Sequence, residues 1–104
     1  MIIYNVTINI TEEIHDQWLL WMNNEHIPEV MATGKFRSAR LVRVHVDQPM
    51  DTIAFAAQYV CQDRQTLERY YQEDAPQMRQ KGLQLWGDKA LYFRTELEVV
   101  SEFD

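Results

Sequence analysis

The apolar pattern changes period at Thr11, and that change limits what the chain can fold into more than any other feature. Upstream, Ile2 to Ile10 alternates, with Tyr4, Val6, Ile8 and Ile10 on one side of an extended chain and Asn5, Thr7 and Asn9 on the other. Downstream, Ile14, Trp18, Trp21 and Met22 recur at helical spacing. Thr11, Glu12 and Glu13 supply an N-cap hydroxyl and two carboxylates at the positive end of the helix dipole. A strand with one apolar face therefore leads straight into an amphipathic helix, and each can bury the other.

The same alternation of periods continues to the end. Pro28 disfavours helical geometry at Ile27, so the first helix is predicted to end near Glu25 or His26. A short second helix then restarts with Pro28 in its first turn and stops at Gly34. Lys35 to Val46 reads as a second strand, with Val42, Val44 and Val46 opposite Leu41, Arg43 and His45. Residues 47–51 form a polar turn, and Thr52 to Cys61 completes a hairpin. Asp63 is placed to cap a long helix carrying Leu67, Tyr70, Tyr71, Ala75 and Met78. Pro76 predicts either a kink there or two shorter helices, the second restarting after Asp74 and running to about Trp86. Ala90 to Val100 is the last strand, where Leu91, Phe93, Leu97 and Val99 alternate with Tyr92, Arg94, Glu96 and Glu98.

The order βαββαβ is that of an α+β, ferredoxin-like domain: a four-stranded antiparallel sheet with helices on one face. The other face is expected to be polar, built from Asn5, Thr7 and Asn9 with Arg94, Glu96 and Glu98, and joined by Arg43, His45 and Gln58. Such a face is either solvated or covered by a second subunit. At 104 residues, with three glycines and three prolines scattered along the chain, a single domain spanning 1–104 is expected.

A net charge of −6 disfavours nucleic acid and anionic membrane surfaces as partners. Cys61 has no intrachain partner and reads as a buried small hydrophobe, which suits a reducing compartment. The N-terminus has no signal-peptide pattern and no apolar run reaches membrane-spanning length, so a cytoplasmic location is expected.

His26 is the foremost candidate for chemistry, since an imidazole at a helix break can exchange a proton near neutral pH and face a cleft. The plainer reading is a histidine that bonds a carbonyl at a helix end. His15, His26 and His45 fall on different elements without metal-ligand spacing, and no phosphate-binding glycine loop or nucleophile elbow is present, so neither metal nor cofactor is implied. Trp21 and Tyr59 are candidate walls, although aromatics at such spacing ordinarily pack a core. Arg43 is a candidate anion clamp and Asn5 an orienting hydrogen-bond partner; Arg94 also qualifies as a clamp, unless it pairs with Glu96 or Glu98.

Four segments carry a resemblance: Met1-Ile-Ile-Tyr-Asn-Val-Thr7, Trp21-Met22 followed by His26-Ile-Pro-Glu-Val-Met-Ala-Thr-Gly-Lys-Phe36, Tyr70-Tyr-Gln-Glu-Asp-Ala-Pro76 and Phe93-Arg-Thr-Glu-Leu97. The chain resembles, from Met1 to about Val100, a family of short bacterial proteins catalogued as a domain of unknown function. Its fold is similar to the dimeric α/β-barrel superfamily, which implies a homodimer formed through the sheet face. Members of that superfamily include cofactor-independent monooxygenases, isomerases, haem-degrading enzymes and ligand sensors. The haem-degrading members use a histidine on the second long helix, and no histidine lies between Asp63 and Trp86. Fold likeness alone assigns no reaction. The expectation is a protein that binds a small, partly aromatic or anionic molecule in a cleft between helices and sheet. The alternatives are a non-enzymatic dimerisation or interaction module, and a monooxygenase- or isomerase-like enzyme that needs no cofactor.

Overall fold

The computed structural model describes residues 1–45, 47 and 51–104. The predicted end of the second strand at Val46 and turn residues 48–50 lie outside the described residues. The strands are β1 (Ile2–Thr11), β2 (Ser38–Arg43), β3 (Thr52–Cys61) and β4 (Ala90–Glu98). They form one antiparallel sheet in the order β2-β3-β1-β4. Between them lie α1 (His15–Trp21), α2 (Ile27–Ala32), α3 (Arg64–Glu73) and α4 (Ala75–Trp86). This is the ferredoxin-like α+β architecture. None of the described helices is long and apolar enough to cross a membrane.

The helix after β1 does not break at Pro28. Ile27 keeps helical torsions (φ −61°, ψ −44°), and residues Met22–His26 widen into a π-helical turn joining α1 to α2. Pro28 has no N–H to give to the preceding turn and its ring crowds the carbonyl four residues back, so a wider turn relieves what an α-helical one cannot. The stretch ends as predicted at Gly34 (φ 77°), whose N–H bonds the Met31 carbonyl while the Thr33 hydroxyl bonds that of Val30. The second helical stretch divides into two shorter helices at Asp74, with Pro76 in the first turn of α4. Asp63 caps α3 by accepting from the Thr66 N–H at 2.9 Å. Lys35 and Phe36 lie in the loop ahead of β2, not in the strand; both are buried, and Lys35 Nζ reaches Asp74 at 2.9 Å and Glu73 at 3.5 Å.

The core fills the space between the helices and one sheet face. Trp18 is wholly buried and its ring centroid lies 5.1 Å from that of Phe55. Phe36 and Tyr70 meet edge to face at 4.8 Å, with Tyr4 and Tyr59 packed beside them. Cys61 is buried as expected, its thiol 3.5 Å or less from the carbonyls of Lys35 and Asp63.

Register overturns the predicted facing of β4. Tyr92, Arg94 and Glu96 stand beside Ile8, Val6 and Tyr4 of β1 and so belong to the helix-covered face. Leu91, Phe93, Thr95 and Leu97 stand beside Asn9, Thr7, Asn5 and Ile3 on the open face. The physical reason is that β4 is an edge strand at the margin of the helical layer, where long polar side chains can reach helix residues and remain hydrated. Glu96 does so, accepting from Arg64 at 2.7 Å and from the Tyr71 hydroxyl. Arg43 is misplaced too: it pairs with Phe55 and so lies on the helix-side face at the far edge, opposite in parity to Gln58. His45 lies beyond the end of β2 and is exposed.

Candidate ligand-binding cleft

Between the helices and β1, β3 and β4 lies a cavity of about 250 Å³. The strands contribute Tyr4, Val6, Ala57, Tyr59, Tyr92 and Arg94 to its lining. The helical side contributes Trp21, His26, Tyr70, Met78, Arg79 and Gly82. Three of the five residues predicted to form a site, His26, Trp21 and Tyr59, therefore meet in one cleft. Asn5 and Arg43 are not among its lining residues.

The π turn explains how His26 reaches this space. On a regular α-helix two residues five apart point about 140° away from each other. The wider winding of Met22–His26 brings His26 back over Trp21, five residues earlier, with ring centroids 4.5 Å apart and planes inclined by 19°. The helix break inferred from Pro28 was thus a local unwinding that aims the imidazole inward. Burial lowers the His26 pKa from 6.5 to about 4; Glu29 opposes that shift, while Lys81 and Arg94 reinforce it. The ring is therefore neutral at pH 7, and the expected proton exchange near neutrality does not hold for it in this state. It is available as a hydrogen-bond partner or a weak base.

Two polar atoms at the cleft are enclosed without a partner, His26 Nδ1 and Tyr92 Oη. Trp86 Nε1, on a ring that meets Trp21 edge to face at 5.9 Å, is likewise unpartnered, as are Trp18 Nε1 and Thr11 Oγ1 away from the cleft lining. Leaving such a group unpaired costs roughly 1–3 kcal/mol each. Gly82 is buried beside Tyr92 and Trp21. A Cβ there would come within 3.1 Å of Tyr92 Oη and 3.6 Å of the Trp21 ring, so the missing side chain lets α4 approach both rings.

Arg94, the alternative clamp, is in the lining because β4 faces opposite to the way its alternation suggested. Its guanidinium lies 5.3 Å from the Tyr92 ring centroid. Glu96, two residues on and on the same face, is engaged by Arg64 and Tyr71. Among the described residues Arg94 forms no ion pair. Arg79, the second cation of the lining, bonds the Tyr4 hydroxyl at 3.3 Å and likewise has no carboxylate partner among those residues.

Asn5 serves the open face instead. A row crosses all four strands there: Arg40 Nε donates to Gln58 Oε1 (2.8 Å), Gln58 Nε2 to Asn5 Oδ1 (3.2 Å), and Asn5 Nδ2 to Thr95 Oγ1 (3.1 Å). Apolar side chains flank it, with Leu91 55%, Phe93 56% and Leu97 43% exposed. Among the described strand residues, Arg40 is the only charged one that register places on this face. Asn5, Thr7, Asn9 and Gln58 lie on this face as expected, while β4 brings Leu91, Phe93 and Leu97 to it in place of Arg94, Glu96 and Glu98.

The fold is similar to that of an ethyl tert-butyl ether d (ethd) family protein from Bacillus halodurans, with a TM-score of 0.69, 16% identity, and coverage of 96% of this chain and 100% of that one. Two proteins from an uncultured marine organism, each described as a dimeric ferredoxin-like protein, are also similar. One has a TM-score of 0.70 at 11% identity, covering 100% and 99% of the two chains. The other has 0.65 at 18%, covering 98% and 97%. No curated protein matches the sequence. Residues 1–100 match a family described as a domain of unknown function, DUF4286, and the chain belongs to that family.

Proposed function

We propose that this protein binds a small, partly aromatic or anionic molecule in the cleft between its helices and sheet, and does so as a homodimer paired through the open sheet face. The observation that carries the binding reading is the set of enclosed, unpartnered polar atoms, His26 Nδ1 and Tyr92 Oη, in a cavity walled mostly by aromatic and apolar side chains, with Arg79 and Arg94 among them. Pockets built for small molecules have this composition: mostly apolar walls with a few polar groups that fix orientation. Trp21 and Tyr59 act as walls and His26 as a polar contact. Arg94 takes the clamp role expected of Arg43.

Pairing is supported by the exposed Leu91, Phe93 and Leu97, in a chain that otherwise carries its abundant charge away from this face. Dimeric relatives of the same fold point the same way. Native mass spectrometry of freshly purified protein tests both parts, because it reports subunit number and retained ligand together. A dimer, converted to monomer by Phe93→Glu with Leu97→Glu, is expected. A wild-type monomer at micromolar concentration overturns the pairing. A thermal-shift screen of small aromatic and anionic compounds in which nothing raises the Tm, together with no retained mass, overturns the binding.

A further inference from the structure

We infer that the cleft is specific for a one-ring aromatic carboxylate bearing a ring hydroxyl, with the carboxylate on Arg94 and the hydroxyl within reach of His26 and Tyr92. This rests on the binding reading above and names the ligand class for that site. Size sets the first limit. A dry cavity of about 150 Å³ holds benzene, and ligand pockets for larger molecules begin near 300 Å³. At about 250 Å³ the cleft has room for one ring with short substituents.

Shape sets the second. Trp21, Tyr59, Tyr70 and Tyr92 all line the space, and flat rings pack well against such surfaces. Charge sets the third. In a chain of net charge −6, the cleft lining contains Arg79 and Arg94 and no carboxylate. Neither arginine forms an ion pair among the described residues, and Glu96, the acid best placed on β4 to neutralise Arg94, is engaged by Arg64 at 2.7 Å. Both arginines are exposed, which places them at the mouth of the cleft, where a planar guanidinium is matched by a planar carboxylate through paired hydrogen bonds. The hydroxyl follows from the two enclosed atoms. Tyr92 Oη can donate and accept and a neutral imidazole nitrogen can do either, and a ring hydroxyl complements both.

The test is isothermal titration with 4-hydroxybenzoate, benzoate, 4-hydroxybenzyl alcohol and cyclohexanecarboxylate. We expect 4-hydroxybenzoate to bind tightest, with at least tenfold loss for the uncharged alcohol and for the non-aromatic acid. Arg94→Gln should weaken 4-hydroxybenzoate tenfold or more and abolish its advantage over the alcohol. His26→Phe, which keeps a flat ring over Trp21, should reduce the advantage over benzoate. Arg37→Gln, an exposed residue just before β2, is the control for net charge and should change nothing. Equal binding of the acid and the alcohol, or an unaffected Arg94→Gln, overturns this ligand class while leaving a binding cleft. Binding of none of the four overturns it as well, and a ligand mass retained in native spectra then shows that the broader reading survives.

Discussion

The buried imidazole of His26 should make the fold sensitive to acid in a defined window. Its pKa is held down from 6.5 to about 4, chiefly by burial against Trp21, with Lys81 and Arg94 adding to the effect and Glu29 opposing it. The unfolded chain therefore takes up the proton first. Above pH 6.5 both states are neutral at this site and it costs nothing. As pH falls from 6.5 toward 4 the unfolded state gains protons that the native state refuses, and stability drops; below 4 the loss levels off. Linkage puts the loss at about 2 kcal/mol by pH 5 and about 3 kcal/mol at its limit. The assay is urea unfolding of wild type and His26→Gln from pH 8 to 4.5, with the difference between the two proteins isolating this histidine from the carboxylates. The variant should gain on the wild type by about 2 kcal/mol between pH 7.5 and 5. Parallel curves across that interval, or a His26 ring resonance titrating near 6.5, would refute the argument.

Trp18→Ala should destabilise the protein by about 3–5 kcal/mol, because a fully buried indole against Phe55 leaves a cavity that rigid neighbours cannot fill; chemical denaturation reads it. Asp63→Ala removes the oxygen that caps α3 and should cost about 1 kcal/mol in the same experiment, with Asp63→Asn recovering most of it. Lys35→Ala should cost about 2 kcal/mol, since Asp74 is only 21% exposed and loses its partner at 2.9 Å. Lys35→Ala combined with Asp74→Ala should be less destabilised than the two single losses added together, as a double-mutant cycle would show.

The strand and helix order was legible because period and capping signals are local: Thr52 to Cys61 and the Asp63 cap stand where the pattern put them, although the Thr11 hydroxyl expected to cap the first helix makes no such bond. Facing was less legible where a rule rests on burial. The apolar side of β4 was assigned to the core, yet Leu91, Phe93 and Leu97 look outward and Tyr92, Arg94 and Glu96 look toward the helices. An edge strand with apolar residues on one side and long polar ones on the other satisfies both arrangements, and only register with β1 decides between them. That parity brought Arg94 into the cleft, whereas Asn5 kept its predicted facing and is outside the site because the cleft lies on the helix-covered side. His26 shows a different limit. Pro28 correctly signalled a disturbed helix, but whether the chain breaks or widens into a π turn depends on the packing of Trp21 and Met22 under the sheet, which spacing does not encode.

The unneutralised state of Arg94 depends on residues outside the cleft, and this can be tested without touching the lining. Arg94 and Glu96 are i and i+2 on one strand, on the same face, close enough for long side chains to interact. Arg64 at 2.7 Å and the Tyr71 hydroxyl hold the Glu96 carboxylate toward α3, and both help keep it ionised. Arg64→Gln with Tyr71→Phe releases that carboxylate beside Arg94. It then competes with a bound anion for the same guanidinium, so 4-hydroxybenzoate should bind roughly five- to tenfold more weakly, the equivalent of about 1 kcal/mol or slightly more. Adding Glu96→Gln to that pair should restore the affinity, because the competitor is gone while Arg94 remains. Unchanged affinity in the double variant would mean that Glu96 does not govern Arg94. Failure of the third substitution to rescue a weakened double variant would trace the loss to a displaced β4 edge instead of to charge.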